Sequence, residues 1–314
     1  MSEAIVHACA ACGKEASNDT TLQQCARCKN RSYCGKECQQ MDWQTHKTTC
    51  KCPNYLLKVQ LCPDRIKDPQ VFRTLSCPAD TTFAQLHRAL QVAFSWADTH
   101  TYDFMVKDPA EVARMAAKKA AGEEPDIMEI IRRRMELQGQ PQSEERHLLR
   151  LVEAAPHGPG GFAGGKGIDF MHNDARRHRD TPEKPSNKVR LREVFEHQHL
   201  KNKPLEYEYD FGDCWEHQIT ILGRDDTRDF FMCKDGEGHY VAEDAGSVQG
   251  WETLKKAYRA ARPNKEQREK MHWFENQASN ADPHGLKNGR ERAWAKGDIN
   301  RRLAELAGKT FGFV

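Results

Sequence analysis

Long apolar runs are what this sequence lacks most plainly: none of its 314 residues fall in a stretch apolar enough, for long enough, to cross a bilayer. The polar stretch after Met1 holds no apolar run of signal-peptide length either. The expectation is a chain in a reducing compartment, cytoplasmic, nuclear or both, with no membrane among its partners. An excess of one charge is also missing. The 48 lysines and arginines nearly balance 46 aspartates and glutamates, for a formal net charge of +2. That balance leaves nucleic-acid binding unsupported, because such binding draws on a basic excess. Hydrophobic residues, at 38% against 30% charged, suffice for a core but not a generous one. The length leaves room for one domain of ordinary size beside a small module.

Cysteine is plentiful and unevenly placed. The stretch 9–50 reads C-x2-C-x12-C-x2-C-x5-C-x3-C-x7-H-x3-C, through Cys9, Cys12, Cys25, Cys28, Cys34, Cys38, His46 and Cys50. Tetrahedral zinc takes four ligands, so eight thiolate and imidazole donors supply two complete sites with no position open to substrate water. Two structural Zn2+ ions per chain are therefore expected. The stretch has too few large apolar side chains for a core of its own, so metal binding of about 10–16 kcal/mol per site has to supply its folding free energy. A disulfide framework, the other use of clustered cysteines, belongs to secreted chains. Cys62, Cys77, Cys214 and Cys233 have no partner at ligand spacing and read as spare thiols in or near a core.

The run YCGKECQQMDWQTHKTTC at 33–50 resembles the MYND zinc finger in ligand order and in the residues between ligands. The resemblance implies an interleaved cross-brace, with Cys9, Cys12, Cys34 and Cys38 on one zinc and Cys25, Cys28, His46 and Cys50 on the other. Cys52 stands close enough in sequence to replace Cys50, although H-x3-C is the family spacing. The family binds short proline-containing peptides of partner proteins, and the positions implicated there correspond to Gln39 and Trp43. Packing of Trp43 against the zinc-bound helix is the alternative for that residue.

Beyond the cysteines, Tyr55, Leu57, Val59 and Leu61 alternate with polar positions and predict a strand with one buried face. A second strand follows at 71–75, stopped by Pro78, to form a hairpin. Thr82 and Gln85 form a capping box for a helix over 83–95, and Tyr102, Phe104 and Val106 read as a third strand. From 108 to 155 the pattern turns helical. Asp108-Pro109 starts one helix, Pro125 a second, and Ser143-Glu144-Glu145 a third containing Leu148, Leu149 and Val152. The glycine-rich run at 156–167 satisfies G-x4-G-K but places Gly167 where a magnesium-ligating Ser or Thr belongs, so it reads as a linker. The basic cluster Arg176-Arg177-His178-Arg179 reads as solvated linker too. Helix is expected again near 189–199. Over 205–222, matching Leu205, Tyr207, Tyr209 and Phe211 to Trp215, His217, Ile219 and Ile221 selects a hairpin whose Gly212-Asp213-Cys214 loop sets Phe211 opposite Trp215. Helices close the chain at 251–261, 265–277 and about 297–307.

The run YDFGDCWEH at 209–217, with TTFAQLHRALQVAFSWADTHTYDF before it and AEDAGSVQGW after it, is similar to the Ri-plasmid ORF-three-like family of α+β domains. That similarity covers most of 55–306 outside the helical insertion and linker, and its union with a MYND finger looks like a fungal architecture. The chain departs from the family pattern at Phe72-Arg73-Thr74-Leu75 and at 241–247, where paired glycines are usual. The fold class implied is α+β: a two-zinc finger at 1–52, then a mixed sheet-and-helix domain at 53–314 with a helical insertion and Gly-rich linker at about 108–188. The function expected is a protein-interaction adaptor. Two alternatives stand beside it: a nuclear transcriptional co-regulator recruiting partners through the finger, and a metal-dependent hydrolase. The second would use carboxylates and histidines such as His87, Asp98, His100, Asp210, Asp213, Glu216, His217, Glu243 and Asp244. Hairpin loops are rich in Asp for turn reasons alone, which weighs against catalysis.

Overall fold

Period-two alternation of apolar side chains builds most of the structure, a computed structural model that describes residues 8–17, 21–122, 132, 136, 143–153 and 176–310. Apart from Arg132 and Glu136, which are helical, the expected helix after Pro125 lies outside the described residues, as does the glycine-rich run at 156–167. The chain opens with a short antiparallel pair, β1 (Gln23–Gln24) and β2 (Ser32–Tyr33), and helix α1 (Lys36–His46). Strand β3 (Asn54–Leu61) then buries Tyr55, Leu57, Val59 and Leu61 and leaves Leu56, Lys58 and Gln60 half-buried. It forms an antiparallel hairpin with β4 (Phe72–Cys77), with Leu57 opposite Leu75.

Helix α2 (Phe83–Phe94) starts at a reciprocal box: the Thr82 hydroxyl accepts from the Gln85 amide at 3.2 Å, and the Gln85 side chain accepts from the Thr82 amide at 2.8 Å. A box of this kind satisfies two otherwise orphaned backbone donors. Phe83, Leu86, Leu90 and Phe94 share one buried stripe. That stripe meets the sheet through Phe83 against Phe104 (5.0 Å) and Phe94 against His217 (4.8 Å). Each such fully buried side chain stabilises by about 1.5–3 kcal/mol.

Strand β5 (Tyr102–Lys107) leads into α3 (Pro109–Ala120), capped by Asp108 and burying none of its residues. Strands β6 (His147–Val152) and β7 (Glu183–Pro185), helix α4 (Leu191–Phe195), β8 (Leu205–Tyr209), β9 (Trp215–Asp225) and β10 (Met232–Glu237) complete the sheet. Its order is β10-β4-β3-β9-β8-β5-β6-β7, with the β6–β7 pair parallel and its other pairs antiparallel. Helices α5 (Ser247–Arg259), α6 (Lys265–Asn276) and α7 (Lys296–Thr310) follow. The Asn300 side chain of α7 both accepts from the Cys233 amide (2.7 Å) and donates to its carbonyl (3.0 Å), which covers the open edge of β10.

Four sequence expectations are corrected here. The segment read as a helix from Ser143 is strand β6. The Ser143 hydroxyl accepts from the Glu145 amide, a tight turn rather than a helix cap, and Leu149 and Leu151 face the core while Arg150 points to the other side. Residues 176–185 are not solvated linker: they hold β7 and, in Arg176, a side chain bonded to Asp103 and Glu208. The β8–β9 hairpin keeps its expected faces but not its register, pairing Tyr209 with Trp215 and Tyr207 with His217. Its loop is longer because the Asp210 carboxylate accepts from the Gly212 and Asp213 amides, which holds Asp210 and Phe211 out of the ladder. Ile221, placed on the buried face by alternation, is 38% exposed beside the bulge where β9 slips against Leu56 and Leu57.

Candidate metal centres

Two groups of four donors converge in the finger. Cys25, Cys28, His46 and Cys50 are all buried, and Cys9, Cys12, Cys34 and Cys38 form the second group, each with donor atoms within 4.8 Å of one another. The chain places them by pairing β2 with β1 and starting α1 directly after Cys34, so that Cys38 sits in its first turns and His46 in its last. Tyr33 and Arg31 clamp the helix, both donating to Asp42 Oδ2, at 2.7 and 2.8 Å. Those bonds, Tyr33 first, hold the Asp42 carboxyl below its usual range.

The donors fit zinc. Two sulfurs on a tetrahedral zinc with bonds of about 2.3 Å stand about 3.8 Å apart, and a sulfur and an imidazole nitrogen about 3.5 Å. Here Cys12 and Cys34 sulfurs are 3.6 Å apart, Cys12 and Cys38 3.9 Å, and Cys25 and Cys50 3.7 Å. His46 Nε2 lies 3.4 Å from both Cys25 and Cys28 sulfurs. These separations are far beyond a disulfide bond. The arrangement is compatible with two structural zinc ions, each closed by four protein ligands, and zinc there supplies folding free energy rather than a reactive water. Cys52 is buried but stands in neither group.

Gln39 and Trp43 lie four residues apart on α1, hence on one face of it. The Trp43 ring meets the His46 ring edge-on at 5.9 Å and is still 39% exposed, so it is packed on one side and bare on the other. The Gln39 amide approaches Cys25 Sγ at 3.9 Å, which gives it a role beside the metal ligand as well.

In the larger domain three loops meet: 95–101 after α2, 210–214 between β8 and β9, and 243–247 before α5. Ser95, Asp98, Asp210, Cys214, Asp244 and Ser247 all take left-handed backbone with φ between 55° and 63°. Non-glycine residues adopt that region at a cost, and such residues gather at functional sites. At the centre, His100 Nε2 is 3.0 Å from Asp244 Oδ1 and His100 Nδ1 is 3.7 Å from Asp210 Oδ1. Ser279 donates to Asp244 Oδ2 at 3.0 Å. Buried Glu243 accepts from the Ala97 amide (2.7 Å), the Thr99 hydroxyl (2.8 Å) and the Tyr209 hydroxyl. Burial raises the Asp210 carboxyl above its ordinary range, against the opposing pull of His100.

Comparison with known proteins matches residues 54–287 to the family described as Plasmid pRiA4b ORF-3-like protein. The chain belongs to the plasmid pRiA4b ORF-3-like family. Residues 9–50 match the MYND finger, so a zinc-binding interaction module is fused ahead of the pRiA4b ORF-3-like domain. Among solved structures the chain is similar to a protein of unknown function, MM3350 from Methanosarcina mazei Go1. The two are 19% identical, with 78% of this chain and 96% of that chain covered and a TM-score of 0.47. No helix among the described residues is long and apolar enough to cross a membrane.

Within the pRiA4b ORF-3-like domain the candidate residues divide. His100, Asp210 and Asp244 come together, and Asp213 ties two of the loops by accepting from the Gly246 amide. Glu243 braces the loops from beneath. His87 and His217 belong to the core instead: His87 stacks on Tyr102 at 3.5 Å and meets the Tyr207 hydroxyl and Asp98, and His217 Nδ1 meets the Trp215 carbonyl at 2.8 Å. Glu216 lies on the opposite sheet face, paired with Arg65.

That opposite face carries a network absent from the sequence reading. Asp103, fully buried, takes Arg150 Nε at 2.6 Å and Arg176 Nη2 at 2.9 Å, while Arg176 Nη1 reaches Glu208 at 2.6 Å and Lys107 sits 3.4 Å from Glu206. Burial pushes the Glu208 carboxyl up to about 7 even with Arg176 beside it. The available signal was Glu206 and Glu208 alternating with the buried residues of β8.

Proposed function

We propose that this protein is an adaptor whose MYND finger docks proline-containing peptides of partner proteins on the face of α1 that carries Gln39 and Trp43. The observation that supports this most is Trp43 itself. A finger held together by metal has no need to leave a large aromatic ring 39% exposed, and a rigid aromatic beside an amide is what the flat, preformed surface of a proline-containing peptide stacks against. Because α1 supplies ligands to both zinc sites, the docking face exists only while metal is bound. An array of proline-containing peptides probed with the zinc-loaded chain should yield binders that the Cys34→Ser chain does not retain. Equal retention by the two chains would overturn the reading.

A further inference from the structure

We infer that the pRiA4b ORF-3-like domain holds a third metal site, a divalent cation bound by His100, Asp210 and Asp244. This goes beyond the finger and does not depend on peptide docking. The three residues come from three separate loops, and their donor atoms lie within 4.8 Å of one another. A six-coordinate ion with bonds of about 2.1 Å sets neighbouring donors about 3.0 Å apart and opposite donors about 4.2 Å apart. One imidazole nitrogen and one oxygen from each aspartate, all within 4.8 Å of one another, are close to that spread; the 3.0 Å contact is made by Nε2 and the 3.7 Å contact by Nδ1, and only one of the two nitrogens would ligate. Charge points the same way. Among the described residues the hydrogen-bond and ion-pair partners of the Asp210, Glu243 and Asp244 carboxylates are hydroxyls, amides and one imidazole, with no lysine or arginine.

The contrast with the other carboxylate group is direct. Glu206, Glu208 and Glu216 also lie within ligand reach of one another, but Lys107, Arg176 and Arg65 already compensate them. One imidazole with two carboxylates is a borderline-hard donor set, which suits Mn2+ better than the all-sulfur and sulfur–imidazole sets of the finger do. It also differs in being open. Three protein donors leave about three positions of a six-coordinate ion for water or a substrate oxygen, and Asp244 is half exposed on the outer side.

The full zinc-loaded chain titrated with MnCl2, with free Mn2+ read from its electron paramagnetic resonance signal, tests this. One bound Mn2+ per chain is expected, weakened at least tenfold by Asp244→Asn and by His100→Gln and unchanged by Glu206→Gln. Circular dichroism shows whether each variant is folded, and surface-facing Asp244→Asn keeps the test decisive if His100→Gln does not fold. Free Mn2+ equal to added Mn2+ with the wild type would overturn the proposal, since His100 would then be an imidazolium clasp between two carboxylates. Binding that survives Asp244→Asn, or that falls with Glu206→Gln, would overturn it as well.

Discussion

His217 shows how a residue type that suggests catalysis serves packing instead. It is fully buried between Phe94 and Tyr207, and burial pushes its imidazole down to about 3. The unfolded chain binds a proton there near pH 6.5 and the folded chain does not. Between those two values the unfolded state carries more protons, so stability falls as pH drops below about 6.5. Comparing unfolding of the wild type and a His217→Phe chain at pH 7 and pH 5 should show the wild type losing about 2 kcal/mol more over that interval. Zinc loss at low pH affects both chains and cancels in the difference. Equal losses would mean that His217 is not held neutral. His147 works in the same direction, pushed down to about 4 by burial and then by Lys107.

At the scale of elements, the loop that carries Glu243 and Asp244 is set by a missing side chain. A Cβ on Gly250, in the first turns of α5, would stand 1.7 Å from the Ala245 carbonyl oxygen. The loop therefore lies directly on the helix, and Gly250→Ala must push it away. Overpacking of this kind costs about 1–3 kcal/mol, so the variant should melt several degrees below the wild type in a thermal scan. An unchanged midpoint would show that the loop gives way freely. Much of this layout was legible beforehand, for identifiable reasons. Strand β3 has four alternating buried positions and α2 has both a capping box and a continuous stripe, so local signals and tertiary packing agree. Strand β6 was not legible, because six residues carrying adjacent leucines fit either period and only the neighbouring edges of β5 and β7 decide it. The β8–β9 register depends on the Asp210 side chain bonding its own turn, a choice that face matching does not encode. Arg176 escaped notice because a basic run in a polar stretch carries no mark of the buried Asp103 that recruits one of its members.

Across the whole molecule, the finger is tied to the pRiA4b ORF-3-like domain by Arg27 to Asp80 at 3.1 Å and by Lys51 to Asp229, and Arg224 donates at 3.0 Å to the carbonyl of Pro53, where that domain begins. Exposed pairs such as these stabilise by about 1 kcal/mol or less each, so they orient the finger more than they hold it folded. Its folding rests on metal, which separates the scaffold from the docking surface: the ligands can be complete while the surface is altered. Trp43→Ala exploits that separation. The most direct measurement is the dissociation constant of a proline-containing peptide for the wild-type and Trp43→Ala chains, with zinc content determined on the same samples. The account predicts two finger zinc ions in both chains and affinity about thirtyfold weaker in the variant, the loss of about 2 kcal/mol typical of an aromatic anchor. Unchanged affinity with the zinc intact would contradict it, and loss of zinc from Trp43→Ala would show that the ring packs the metal site rather than a partner.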